Sequence, residues 1–303
     1  MRRAARDRWA RALVPALPFL WLTVFFLLPF IIVAKISLSD PATAQPPYRP
    51  VFTGFGLDQV RAFVEALDLE NFWTLLGDDL YLQAVLSSLR IAAVSTALLL
   101  LIGYPMAYAM ARAPHRWRSL LVALVILPFW TSFLIRVYAW IGILKPEGLL
   151  NQALLGLGLI AEPLAILNTE TAVFIGMVYA YLPFMVLPLY ATLEKLDPTL
   201  IEAAQDLGCP PARAFWAITL PLSMPGVAAG ALLCFIPIVG EFVVPDLLGG
   251  SETLMIGRTL WSEFFSNRDW PLASAVAVMM LLILVVPIVV YRDIEARRVE
   301  AAR

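Results

Sequence analysis

Long apolar runs recur along the chain, and short segments between them carry most of the charged residues. Six runs are long enough for a helix that crosses the hydrocarbon core of a bilayer, which takes about 20 residues. Backbone groups in lipid must be satisfied within their own segment, so each run is expected to be helical. The sequence therefore predicts an all-α integral membrane protein with six transmembrane helices, at residues 13–37, 82–111, 120–144, 171–193, 222–244 and 272–291.

Composition agrees with this prediction, because 61% of the 303 residues are hydrophobic and only 15% are charged. Soluble domains carry about 25% charged residues. The first apolar run is too long for the core of a signal peptide and no Ala-x-Ala site follows it, so we expect a retained span. Cys209 and Cys234 are too few for a disulfide or metal framework and are expected to be free thiols.

Lysine and arginine are distributed unevenly between the two sides of the predicted membrane. The N-terminus and the segments on its side hold 14 of the 22 basic residues, and the opposite segments hold five. The positive-inside rule then places both termini in the cytoplasm. The expected order is a cytoplasmic end with the first span (1–37), a periplasmic loop (38–81), a five-helix core (82–291) and a cytoplasmic tail (292–303).

The first outer loop, residues 40–81, is long and acidic. Its proline-rich start is expected to be irregular, and its second half to form one or two surface helices. Two interpretations of its charge remain open, a solvated loop and a docking surface for a soluble partner.

The connection between the fourth and fifth spans has helix start and stop signals, although it is predicted to be cytoplasmic. Asp197 and Pro198 are typical of an N-cap and a first helical residue. Gly208 is expected to end the helix in a left-handed conformation. Pro210 and Pro211 then begin a second helix that leads into the membrane. A short helix presented in this way suits a groove on a partner protein.

This connection resembles the EAA loop of bacterial ABC importer permeases, within residues 194–221. In that family the loop forms a coupling helix that docks onto the cytoplasmic ATPase. Three residues separate the Glu-Ala-Ala triplet from the glycine, and nine more precede the Ile-x-Leu-Pro end. The matching positions are Glu202, Ala203, Ala204, Gly208, Ile218, Leu220 and Pro221.

Further runs resemble the polyamine branch of these permeases, closest to putrescine uptake. They lie at residues 127–140, 179–184, 240–250 and 267–271. The resemblance implies a type I ABC importer permease core in the bacterial inner membrane. Its implied partners are a second homologous permease, two ATP-binding subunits and a periplasmic substrate-binding protein. Membrane lipid is a further expected partner, and nucleic acid is not.

The chain has no G-x-x-x-x-G-K-[ST] phosphate loop, so ATP is expected to bind the partner ATPase and not this chain. No catalytic residues, cofactor or metal site are predicted. The single histidine, His115, is expected to be a solvated surface residue in a basic loop.

A polyamine path needs carboxylates for ammonium groups and aromatic faces for cation–π contact. Glu241 is the first candidate because an ionisable residue at membrane depth usually faces a cavity. Its alternative role is an ion pair with Arg136 or Arg90. Tyr181 ranks next, and an interfacial aromatic belt is the alternative for the other aromatic candidates. The remaining tentative path residues are Asp246, Trp130 and Tyr138.

The sequence thus predicts a permease subunit of an ATP-driven importer that carries a polyamine, with putrescine as the expected substrate, into the cytoplasm. Three alternatives stay open at this point. They are an ABC permease for another small solute, an ion-coupled secondary transporter, and a membrane scaffold without a path of its own.

Overall fold

The computed structural model of the protein describes residues 15–52, 54 and 57–301. It is mostly helical, as predicted, with one short antiparallel ladder that pairs Asp40 with Arg49 and Pro41 with Tyr48. The helices are α1 (Pro15–Ile36), α2 (Leu57–Glu65), α3 (Glu70–Gly77), α4 (Asp79–Arg112), α5 (His115–Ile126), α6 (Phe133–Leu144), α7 (Leu149–Gly156), α8 (Glu170–Leu193), α9 (Thr199–Asp206), α10 (Pro211–Val239), α11 (Val243–Leu248), α12 (Ile256–Trp261) and α13 (Trp270–Ala301).

Within the described residues, α1, α4, α8 and α10 are long and apolar enough to cross a bilayer. The predicted third span, residues 120–144, is wrong as a single helix. Its two halves meet at 88° around a 3₁₀ turn, Leu127–Trp130, that contains Pro128. Pro128 has no backbone N–H and its ring crowds the preceding turn, which favours the 3₁₀ turn over continued α-helix, and the bend follows at residues 131–132.

The predicted fifth span also ends early, because α10 stops at Val239 and α11 starts only at Val243. The apolar part of α13, Trp270–Val285, is shorter than the four long spans. The structure agrees with six crossings if the bent pair and α13 each count as one. The six-span count itself stays a prediction.

The described residues form two compact units, of which the first comprises those from 15 to 82 and from 260 to 301. In this unit α13 packs against α1 and α3. The Asn71 Nδ2 donates to the carbonyls of Ser37 at 3.1 Å and Ser39 at 2.8 Å, which ties α3 to the end of α1. Helices α2 and α3 confirm the surface helices predicted for the second half of the acidic loop.

The second unit, residues 83–259, contains the candidate site and is built around α8 and α10, which pack along each other. Glycines allow the close approach. A Cβ on Gly226 would lie 2.6 Å from Thr192 Oγ1, and one on Gly230 would lie 2.9 Å from Met185 Sδ. Small residues at helix contacts are the usual means of tight packing in membranes. The α8–α10 pair is therefore a fixed frame for residues at its ends.

Candidate functional site

The connection between α8 and α10 contains α9 and ends it in a left-handed turn. The helix begins at Thr199, one residue later than predicted, so Pro198 and not Asp197 stands at its N-cap, while the Asp197 Oδ1 accepts a hydrogen bond from the Thr199 N–H at 3.0 Å. Hydrogen bonds from Thr199 lower the pKa of the Asp197 carboxyl below its ordinary value because they favour the charged form. Gly208 has a φ of +81°, as the sequence predicted.

The residues of the sequence motif lie on an exposed part of this connection. Glu202 and Ala203 are exposed and Ala204 is half-buried. Leu200 on α9 and Leu207, the residue that follows α9, are 48% and 89% exposed. Ile218, Leu220 and Pro221 lie where the connection enters the membrane-spanning part of α10. Exposed leucines grouped on one small element are typical of a contact surface.

Residues 240–242 interrupt the helical chain between α10 and α11, and Glu241 lies in this interruption. The Glu241 Oε1 accepts a hydrogen bond from the Val243 N–H at 3.0 Å, which satisfies one of the free amides at the start of α11. Gly257 packs against the same segment. A Cβ on Gly257 would lie 2.4 Å from the carbonyl oxygen of Gly240 and 2.7 Å from that of Glu241.

Tyr181 and Glu241, the two path residues that rank highest in the sequence, are in direct contact. The Tyr181 hydroxyl donates to the Glu241 Oε2 at 2.5 Å, and the tyrosine is only 8% exposed. Both carboxylate oxygens of Glu241 thus accept from neutral donors. The alternative ion pair with Arg136 or Arg90 does not occur within the described residues, where Arg90 pairs with Glu170.

A row of aromatic rings leads away from Glu241. The ring of Tyr181 lies 6.1 Å from that of Phe184, and Phe184 makes an edge contact with Phe129 at 5.2 Å between centroids. The guanidinium carbon of Arg136 lies 4.8 Å from the centroid of Phe129. We call Tyr181, Phe184 and Phe129 the aromatic row. It joins α8 to the bent α5–α6 pair, with a carboxylate at one end and a guanidinium at the other.

Asp246, another predicted path residue, lies on α11 and forms an ion pair. Its Oδ1 is 3.1 Å from the Nε of Arg258, and the Arg258 Nη1 donates to the carbonyl of Gly250 at 3.4 Å. This pair closes the turn that follows α11. The sequence had not assigned any role to Arg258.

Trp130 and Tyr138 make no hydrogen bond or ring contact with Glu241 or the aromatic row within the described residues. Their side chains are 80% and 58% exposed, as expected for aromatic residues that face lipid or another subunit. Their place in a substrate path stays a prediction that this geometry does not favour.

The structure adds Phe129, Phe184 and Gly257 to the neighbourhood of Glu241. The first two stand next to Pro128 and Pro183, and those prolines mark where the helices bend or loosen. Gly257 shows no such signal, because only the folded chain reveals that it touches a carbonyl group far away in sequence.

The sequence model of the family described as "binding-protein-dependent transport system inner membrane component" matches residues 99–299. The chain belongs to this family of ABC importer permease subunits, in which the ATPase is a separate subunit. It is therefore a multi-pass protein of the inner membrane.

Individual relatives agree with this assignment. The chain is 41% identical over 276 residues to the spermidine/putrescine transport system permease protein PotB of Haemophilus influenzae, covering 91% of each protein. It is 40% identical over 271 residues to PotB of Escherichia coli K12, covering 89% of this chain and 92% of PotB. ModB of Mycobacterium bovis, a molybdenum transport system permease protein, is 32% identical over 245 residues, which are 80% of this chain and 90% of ModB.

Among solved structures, the bacterial alginate ABC transporter in complex with an alginate pentasaccharide-bound periplasmic protein matches with a TM-score of 0.70. The match covers 99% of this chain and 98% of that chain at 17% identity. A second alginate importer structure gives a TM-score of 0.66 at 19% identity, with 98% and 99% coverage. The predicted permease fold is thereby confirmed.

The packing of Gly257 against the interruption yields a first prediction. Gly257→Ala places a methyl group where two carbonyl oxygens already lie, so the backbone around Glu241 must shift. Overpacking of this kind costs about 1–3 kcal/mol. We expect a lower melting temperature of the purified protein in detergent.

Gly142→Ala is the matched control, because a Cβ at Gly142 meets no atom within 4 Å. We expect this variant to melt like the unsubstituted protein. Equal melting temperatures for the Gly257 and Gly142 variants would show that Gly257 does not support the interruption.

Proposed function

We propose that this permease subunit carries a polyamine of the putrescine or spermidine class from the periplasm to the cytoplasm. The observation that carries the proposal is the carboxylate of Glu241, held by Tyr181 in a break of the helical chain. The PotB relatives, named for spermidine and putrescine transport, support the same substrate class.

The break itself supports a position on the transport path. Non-helical backbone at membrane depth is tolerated only where it is buried in protein or lines an aqueous cavity. Residues 240–242 are half-buried, so they suit the wall of such a cavity. A carboxylate there offers an ammonium group a charge-assisted hydrogen bond, and the buried Tyr181 holds that carboxylate in place.

A permease for another small solute is the alternative that one relative favours, since ModB is named for molybdenum transport. The charge of Glu241 argues against an anionic solute, because like charges repel strongly where the dielectric constant is low. Membership in the ABC permease family argues equally against an ion-coupled secondary transporter and against a scaffold.

The working complex in this proposal contains a second homologous permease, two ATP-binding subunits and a periplasmic substrate-binding protein. Both termini lie in the cytoplasm, together with α9. ATP binds the partner ATPases, and this chain holds no cofactor of its own. The exposed Leu200 and Leu207 at α9 fill a groove on an ATPase subunit. Closure of the two ATPase subunits moves α9, and this movement switches the cavity between outward and inward access.

The turn at Gly208 offers a test of coupling. Gly208→Val forces a β-branched residue into the left-handed conformation, which costs about 1–2 kcal/mol and displaces α9 from its groove. We expect membrane insertion to continue, while binding of the ATPase subunits and ATP-dependent uptake by the reconstituted complex fall severalfold.

Gly208→Asn is the control, because asparagine adopts the left-handed conformation more readily than other residues with a side chain. No atom lies within 4 Å of a Cβ at this position, so any difference between the two variants reports conformation and not a clash. Unimpaired coupling in Gly208→Val would refute the assignment of a coupling loop.

The charge of Glu241 offers a test of the path. Glu241→Gln keeps the shape, its amide oxygen can accept from the Val243 N–H and its NH2 group can donate to the Tyr181 hydroxyl oxygen, so the change removes mainly the negative charge. A charge-assisted hydrogen bond is roughly twice as strong as a neutral one, so uptake of labelled putrescine should fall at least about tenfold. Complex yield and melting temperature should stay close to those of the unsubstituted complex.

Glu252→Gln is the matched control, since Glu252 is an exposed carboxylate of the same unit. It should leave uptake unchanged. If Glu241→Gln lowers stability in step with uptake, Glu241 has a structural role only. Full uptake by this variant would exclude any essential role for its charge.

A further inference from the structure

Arg136 stands apart from other arginines of the second unit. Its Nε and Nη1 atoms are buried and have no hydrogen-bond partner within the described part of the chain. Arg90, Arg118 and Arg258 each pair with a carboxylate, on Glu170, Glu194 and Asp246 respectively. The positive charge of Arg136 is therefore not neutralised by a carboxylate among residues 15–52, 54 and 57–301.

Aromatic rings take the place of an anion. The guanidinium lies 4.8 Å from the centroid of Phe129 and 5.7 Å from that of Phe133. Such cation–π contacts stabilise a cation by about 0.5–2 kcal/mol, but they leave its net charge in place. An uncompensated charge at membrane depth is costly, and such residues typically serve transport.

The aromatic row connects this charge to the proposed binding carboxylate. The guanidinium of Arg136 lies over the ring of Phe129, and Phe129 contacts Phe184. Phe184 in turn contacts Tyr181, whose hydroxyl donates to Glu241. One continuous set of side chains thus ends in a negative charge on α10–α11 and a positive charge on α6. Its middle is apolar and suits a methylene chain.

We propose that Arg136 is a specificity-determining residue for the transported amine. The proposal rests on the proposed function, in which Glu241 binds one ammonium group, and it adds that the methylene chain lies along the aromatic row. Arg136 then repels any further ammonium group that extends towards it. A short diamine keeps both charges near Glu241, whereas a longer triamine brings a charge close to the guanidinium, so Arg136 favours the diamine.

Neutral variants of Arg136 test this role in the complete importer with its binding protein. The readout is the ratio of spermidine uptake to putrescine uptake, relative to the unsubstituted complex. For two unit charges about 10 Å apart at an effective dielectric constant of about 20, repulsion corresponds to roughly a tenfold change in affinity. We expect the ratio to rise by about that factor in Arg136→Gln. The preference of the binding protein cancels in this comparison.

Two further variants separate charge from packing. Arg136→Lys keeps the positive charge and should retain the original ratio. Arg136→Met keeps an unbranched stem against Phe129 and should raise the ratio as Arg136→Gln does, so it also serves if the glutamine variant does not assemble. Arg90→Gln removes a charge that Glu170 already neutralises and should leave the ratio unchanged.

The outcomes are distinct. An unchanged ratio in both neutral variants at normal uptake overturns the role of Arg136 alone. A lysine variant that behaves like the neutral ones, or an Arg90 variant that shifts the ratio equally, overturns it as well. If the unsubstituted complex takes up neither amine, the proposed function fails and this inference fails with it.

Discussion

A backbone that crosses a membrane finds no water to satisfy its amides and carbonyls, and the structure of this permease depends on that constraint. The chain meets it with long helices almost everywhere. At residues 240–242, one of the places where it leaves the helix, a side chain supplies the hydrogen bonds that water would supply elsewhere. The carboxylate of Glu241 accepts the free N–H of Val243 and also holds the hydroxyl of Tyr181. The same group thus stabilises the break and provides the charge at the proposed path.

Close helix packing makes this arrangement precise. Gly226 and Gly230 let α8 and α10 approach until side chains of one helix touch the backbone of the other. A Cβ on Gly176 of α8 would lie 2.6 Å from the Leu248 Cδ1, so α8 also fixes α11. Tyr181 and Glu241 therefore meet because three helices are locked together, and no flexible loop is needed to position either residue.

Hydropathy and charge predicted much of this protein because their physical causes are local. The length of an apolar run decides whether it forms a membrane helix, and Gly208 adopts a left-handed conformation because it follows a short helix. The contact between Tyr181 and Glu241 was not itself predicted, although both were singled out, since each is a polar residue in an apolar run.

Other features depend on which distant residues meet, and sequence patterns carry little information on that. Hydropathy does not distinguish a kink at Pro128 from a full break of 88°. The pairing of Asp246 with Arg258, and of Arg90 with Glu170, selects one partner among several of suitable charge. The sequence therefore offered Arg90 and Arg136 as partners of Glu241, whereas in the structure Arg90 pairs with Glu170 and Arg136 lies over Phe129.

The central claim, that this chain is the permease of a polyamine importer, is tested most directly by ATP hydrolysis in the purified complex. The complex would be reconstituted with its binding protein and challenged with putrescine, spermidine and a small anion such as molybdate. We expect ATP hydrolysis to rise with at least one of the polyamines and to stay at its basal rate with the anion. Stimulation by the anion alone, or by none of the polyamines, would contradict the claim.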